Sequence, residues 1–274
     1  MTEPSPIPPR APRWALRGAF TVVELLVVVG IVAALLGLLL PATGRAREAA
    51  KRVRCASNLR QWGHALVMYV GEHRGFIPRE KADPFPDRPW RAAEYNTWAA
   101  ITAWSGNEEL WFNVLPQRYL NDRKGVNDYA GSVEARGEFF SDRGGNVFHC
   151  PSASLDRPAY DGPHFSLALN AKLNIDNRRL ILSRVRQPSL TPLFLESGFP
   201  GEPKIDPRQA TYDGRPHTFA NRAAFRHGRR CNFVMADGHV RSFAGPEVVD
   251  PATGGAFVPQ TTVVWTPDPA MDPN

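Results

Sequence analysis

From Phe20 to Leu40 the chain holds 21 residues, and only Thr21 and Glu24 among them are polar. As an α-helix this stretch would be about 32 Å long at roughly 1.5 Å per residue, close to the roughly 30 Å hydrocarbon core of a bilayer. A run this long and apolar on every face is poorly suited to the core of a single domain. A cleaved secretory signal has a shorter apolar core followed by a small-x-small site, whereas here Gly18 and Ala19 precede the run. A plain signal anchor accommodates the run but gives no reason for Glu24. Without a partner at mid-bilayer its carboxylate would cost on the order of 2.5–3.5 kcal/mol, so its presence asks for a role.

The sequence that follows, REAAKRVRCASNLRQWGHALVMYVGEH, reads as the solvated continuation of the same helix, with Val53, Leu59, Leu66 and Tyr69 among its apolar positions. The expected helix runs from Phe20 to about His73, with a bend allowed at Pro41. Arg10, Arg13 and Arg17 precede the membrane segment, while Arg45, Arg47, Lys51, Arg52, Arg54 and Arg60 follow it. A count of positive charge alone would therefore place the body of the chain in the cytoplasm.

Four segments result: residues 1–19, the helix 20–74 with its membrane-spanning part 20–40, a body 75–249, and a Pro-rich tail 250–274. The body of about 175 residues is long enough for one domain with its own core. The net charge of +6 falls to +4 without residues 1–19, which carry three Arg and one Glu. This modest excess lies mostly beside the membrane segment, where anionic lipid head groups are the fitting partner. No nucleic-acid-binding signature accompanies it, and nucleic acid is not expected as a partner.

Within the body, Trp90, Trp98, Trp104 and Trp111 fall in a loop-rich stretch. The simpler reading makes them core residues, and the other makes them a ligand-binding aromatic platform. The tail reads as an extended appendage or as disordered. In FRHGRRCNFVMADGHVRSF, residues 225–243, alternating apolar positions flank Asp237-Gly238 and predict two strands joined by a two-residue turn with positive φ at both central positions.

At this point the residues resemble a known class. The string Gly18-Ala19-Phe20-Thr21-Val22-Val23-Glu24 is similar to the class III signal of type IV pilins and type II secretion pseudopilins. In that class a prepilin peptidase cuts before a Phe and methylates the new amino group. The resemblance implies Gly18, Ala19 and Phe20 as the cleavage and methylation site and Glu24 as the assembly contact. Its partner would be the ammonium of a neighbouring subunit's first residue, an attraction strengthened by low dielectric. The helix dipole also favours an acidic residue there. The class normally has Gly directly before the Phe, so Ala19 is a departure that would slow cleavage or shift it to follow Gly18. Further along, His227, nine residues and Asp237-Gly238 resemble the H-X9-DG motif of a bacterial prepilin-like family, as do Cys55-Ala-Ser-Asn-Leu-Arg-Gln, Phe148-His149-Cys150-Pro151-Ser152 and Leu167-Ala168-Leu169-Asn170. This match to the class overrides the charge count and implies a single-pass protein of the bacterial inner membrane with a periplasmic body.

Turn geometry is reason enough for Asp237-Gly238, with calcium at Asp237 a weaker alternative suggested by calcium-binding pseudopilins. A metal-dependent hydrolase would need His227, Asp237 and His239 to converge with further ligands. No Gly-x-Ser-x-Gly, His-Glu-x-x-His or phosphate-loop pattern occurs, so no enzyme, catalytic residue or cofactor is expected. The cysteines Cys55, Cys150 and Cys231 allow three disulfide pairings, with Cys150–Cys231 mildly preferred, or three buried free thiols. The His149-Cys150 pair alone is too sparse for zinc, and no metal site is expected from it.

The sequence therefore predicts an α+β fold, with a long membrane-inserted helix packed on a mainly antiparallel sheet. The function expected is a prepilin-like subunit of a type IV pilus or type II secretion pseudopilus, with prepilin peptidase, other pilin or pseudopilin subunits and inner membrane lipids as partners. The alternative is a membrane-tethered envelope protein whose Trp-rich body binds an extracytoplasmic ligand such as a glycan.

Overall fold

A computed structural model describes residues 21–78, 97–99, 110–120, 124–140, 147–154, 162–173 and 180–274. Gly18, Ala19 and Phe20 lie outside the described residues, as do Trp90 and Trp104. The chain divides into two compact units, residues 1–46 and 47–274.

Helix α1, Val22–Glu72, is a single element that continues through Pro41. Its start is written locally in the chain: the Thr21 backbone N–H and hydroxyl both donate to Oε2 of Glu24, and the Glu24 N–H donates back to the Thr21 hydroxyl. This is a reciprocal capping box. In the first unit the apolar side chains from Val22 to Leu40 project outward, with Leu38 76% exposed. The segment is long and apolar enough to cross a membrane.

In the second unit α1 changes character. Cys55, Asn58, Leu59, Trp62, Ala65, Leu66 and Tyr69 are buried, a stripe at three- and four-residue intervals along one face. Leu59, Leu66 and Tyr69 thus take the expected inward positions, while Val53 is 70% exposed and belongs to the opposite face. The stripe meets a five-stranded mixed sheet of order β3-β1-β2-β4-β5, built from β1 Leu167–Asn170, β2 Pro192–Glu196, β3 His217–Thr218, β4 Arg230–Met235 and β5 Val240–Ala244. Only β1 with β3 is parallel, so the fold is the expected α+β with a mainly antiparallel sheet. Gly63 sets the approach of helix to sheet, because a Cβ there would stand 2.6 Å from a methyl of Val234.

Both faces of the sheet are covered, and the pleat sorts the side chains between them. Phe194 and Val234 are paired in register and face the α1 side, in one core with Trp62 and Trp111. Leu195 and Phe233, also paired, face the other side with Met235, Phe243 and Trp265. Trp62 lies at the centre of the first core, with its ring 5.1 Å from Trp111 and 5.3 Å from Phe148, and its indole N–H donates to the Val147 carbonyl at 2.8 Å.

Two expectations need correction. The Pro-rich segment 250–274 is no appendage: Val263, Val264 and Trp265 are buried, and Trp265 supplies a large part of the second core. Asn170 donates to both the Pro192 and the Trp265 carbonyl, which ties this segment to the sheet. Its Pro residues exclude regular strand and helix, and side-chain burial and amide anchors hold it instead.

The Asp237 hairpin also differs. Met235 N–H donates to the His239 carbonyl and Gly238 N–H to the Met235 carbonyl, so three residues, Ala236 to Gly238, connect the strands. Only Gly238 has positive φ, at 89°, as a three-residue hairpin with a glycine bulge requires. Asp237 contributes its side chain, accepting from the backbone N–H of His239 at 3.2 Å and lying 2.6 Å from its Nδ1.

Candidate functional site

The residues singled out from the sequence separate in space. Glu24 starts the apolar half of α1, Asp237 and Gly238 form an exposed hairpin tip, and His227 is buried. His227, Asp237 and His239 form no common ligand set among the described residues, which removes the geometric premise of the hydrolase reading. The Asp237 side chain is engaged with His239.

His227 instead joins residues that no local motif connects. Cys55, Cys150, Glu196 and His227 are all buried, and their Sγ, carboxylate and imidazole atoms lie within 4.8 Å of one another. Each comes from a different element. Cys55 begins the buried stripe of α1, and Glu196 ends β2. Glu196 lies two residues beyond Phe194 and so shares its α1-facing side. Cys150 is held in the 147–154 turn region by its backbone N–H, which donates to the Ser166 hydroxyl at 2.6 Å. His227 opens the turn into β4, where Gly228 and Arg229 both take φ of 63°.

The contacts are close. The Cys55 thiol donates to Oε1 of Glu196 at 2.6 Å, His227 Nε2 lies 2.8 Å from the same oxygen, and Cys150 Sγ lies 3.3 Å from Nε2. The other ring nitrogen, Nδ1, stands 3.2 Å from Oε1 of Glu48, a residue two turns before Cys55 on α1. The second oxygen of Glu196 accepts the backbone N–H of Asn232 at 2.8 Å. Glu48 is 44% exposed and accepts from the Ser152 hydroxyl, so solvent begins one side chain away from His227.

These neighbours redistribute protons. Burial opposes charge on His227, and the Cys150 thiol and Glu196 carboxylate more than offset it, raising the imidazole to about 10. Burial would likewise raise Glu196, yet His227 holds it below the usual carboxylate range. Cys55 is pushed up by burial, with Cys150 and Glu196 adding to the effect. Cys150 moves down despite burial, through its contacts with Cys55 and His227.

A second charged pair buttresses the cluster. Arg226, adjacent to His227, makes a two-pronged contact with Glu202, through Nε at 2.7 Å and a terminal nitrogen at 2.5 Å, and both side chains are only 6% accessible. Paired hydrogen bonds of this kind offset the cost of burying both charges. The same guanidinium donates to the Ser197 carbonyl directly after Glu196.

All three thiols are free and buried, so the preferred Cys150–Cys231 bridge is not formed. Cys231 stays outside the cluster, its sulfur 3.7 Å from the Glu196 carbonyl. His149 also turns away from it, with Nε2 2.8 Å from the His164 carbonyl. Burial lowers His149 to about 4. Trp98 and Trp111 are core side chains, 2% and 1% accessible, whereas Trp90 and Trp104 lie outside the described residues. Sequence reasoning passed over Glu196 and Glu48 altogether. Even for the cysteines, separations far beyond those of zinc-binding motifs carried no signal.

A family model described as "Protein of unknown function (DUF1559)" matches residues 44–182. The match takes in Cys55 and Cys150 and stops before Glu196 and His227. No curated protein and no solved structure matches the chain.

Proposed function

We propose that this chain, which belongs to the DUF1559 family, is a prepilin-like membrane subunit. In this reading a prepilin peptidase processes it at Ala19-Phe20, and it packs with other pilin or pseudopilin subunits through α1. The observation that carries the proposal is the first half of α1. Its apolar side chains from Val22 to Leu40 are exposed on all sides, and Glu24 is the sole charge among them. Such a surface needs lipid, other helices or both. In the inner membrane it anchors the chain once, with the body in the periplasm, and in a filament the same surface becomes the contact between subunits. The resemblance of Gly18 to Glu24 to a class III signal supports this dual use.

Intact-mass and N-terminal peptide analysis of the protein from its native membranes tests this. The expected result is a chain that starts at N-methylated Phe20. A chain that retains Met1 or Thr2 would overturn processing and leave a plain anchor carrying an envelope domain. The burial of Trp98 and Trp111 weighs against a Trp-lined ligand platform as that domain's purpose.

A further inference from the structure

We propose that Cys55, Cys150, Glu196 and His227 form a zinc site that ties α1 to the sheet. Two sulfurs, one imidazole nitrogen and one carboxylate oxygen make a four-donor set that zinc accepts in tetrahedral geometry. Calcium and magnesium take oxygen ligands and are a poor match for two thiolates.

The spacing fits. With zinc–sulfur lengths of about 2.3 Å and zinc–nitrogen or zinc–oxygen lengths of about 2.0–2.2 Å, tetrahedral donors stand about 3.3–3.8 Å apart. The observed separations are 2.6 Å for Cys55 to Glu196, 2.8 Å for His227 to Glu196 and 3.3 Å for Cys150 to His227. These are hydrogen-bond lengths, and each of these three separations opens by roughly 1 Å or less to reach tetrahedral spacing.

The outer partners are an independent observation. Glu48 engages Nδ1 of His227 and leaves Nε2 facing Cys150 Sγ and Oε1 of Glu196, the carboxylate–imidazole–metal arrangement that orients metal-bound histidines. Asn232 fixes the Glu196 carboxylate from outside, its backbone N–H donating to Oε2 at 2.8 Å and its side-chain amide reaching Oε1 at 3.4 Å. The half-exposed Glu48 also marks where an ion reaches the site. Binding replaces the thiol protons of Cys55 and Cys150 and any proton on Nε2, all released to solvent. A Cys55–Cys150 disulfide is the competing fate of these thiols. It would use two of the four groups and give Glu48 and Glu196 no part.

The test uses the full chain in detergent, purified without chelator, with elemental analysis for zinc and cobalt(II) titration after zinc removal. One zinc per chain is expected, and cobalt should give a thiolate-to-metal charge-transfer band with the strong visible absorption of a tetrahedral site. Cys55→Ser and Cys150→Ser should each cut that band to half or less and the double change should abolish it, while Cys231→Ser, at a buried thiol outside the cluster, should keep it. Glu48→Gln should weaken metal affinity by roughly 10- to 100-fold at unchanged stoichiometry. The proposal is overturned if the wild-type chain gives no charge-transfer band, or if the band survives loss of Cys55 and Cys150. It is equally overturned if protein alkylated on isolation carries a Cys55–Cys150 disulfide. The wild-type cobalt spectrum does not depend on whether a variant folds, and none of these readouts depends on filament assembly.

Discussion

Thr21 and Glu24 satisfy one another at the head of α1, with the Glu24 carboxylate 2.9 Å from both the backbone nitrogen and the hydroxyl of Thr21. The carboxylate therefore has a local structural use inside a single chain, beside any use between chains. The two uses can be separated chemically, because glutamine also serves at the third position of a capping box but carries no charge. Glu24→Gln is expected to leave membrane insertion and processing intact and to abolish incorporation into filaments, and the same outcome is expected of Glu24→Ala. Normal incorporation of Glu24→Gln, measured by subunit content of sheared filaments or by crosslinking in membranes, would sink the ion-pair role.

The Arg226–Glu202 pair gives a stability prediction. Removing one partner leaves a buried charge without its counterpart, so Glu202→Leu should cost about 3–5 kcal/mol. Replacing both with apolar residues should cost distinctly less than the single change. Urea unfolding of the detergent-solubilised chain followed by Trp fluorescence measures both, and equal losses would mean that the charges are screened by water.

Trp265→Ala should destabilise the body by about 3–5 kcal/mol, the range for removing a large buried aromatic side chain. If residues 250–274 were a loose appendage, the same change would stay within about 0.5 kcal/mol. Thermal unfolding distinguishes the two.

Gly254 has φ of 72°, and a Cβ there would run into the backbone carbonyl of Arg208. Backbone has less freedom than a side chain to move aside, so Gly254→Ala should cost about 1–3 kcal/mol or more. Gly30→Ala serves as the control, since its Cβ would meet nothing within 4 Å. A neutral Gly254→Ala would mean that the C-terminal segment is not seated against residues 208 and 209.

At the hairpin, Gly238→Ala should cost roughly 1–2 kcal/mol because of its positive φ. Asp237→Ala, at an exposed position without that backbone demand, should change stability by about 0.5 kcal/mol or less. A neutral Gly238→Ala would sink the glycine-bulge hairpin.

The sequence alone determined what is local. The apolar run, the helical stripe through Leu59, Leu66 and Tyr69 and the strands around Asp237 each depend on residues a few positions apart, where periodicity and backbone chemistry are legible. The exact hairpin turn was not legible, because Asp237-Gly238 suits either a two-residue turn or the second and third positions of a three-residue loop, and strand register chooses between them. Nor was the fate of the Pro-rich segment, whose lack of periodicity matches disorder as well as irregular packing. The second face of the sheet, exposed without Trp265, decided that. Only tertiary structure could assemble Cys55, Cys150, Glu196 and His227, since they lie on four elements and meet because α1 rests on the same sheet face to which the pleat directs Glu196. Short-range spacing records nothing of that convergence, while burial, which forces polar groups to find partners, makes it chemically consequential.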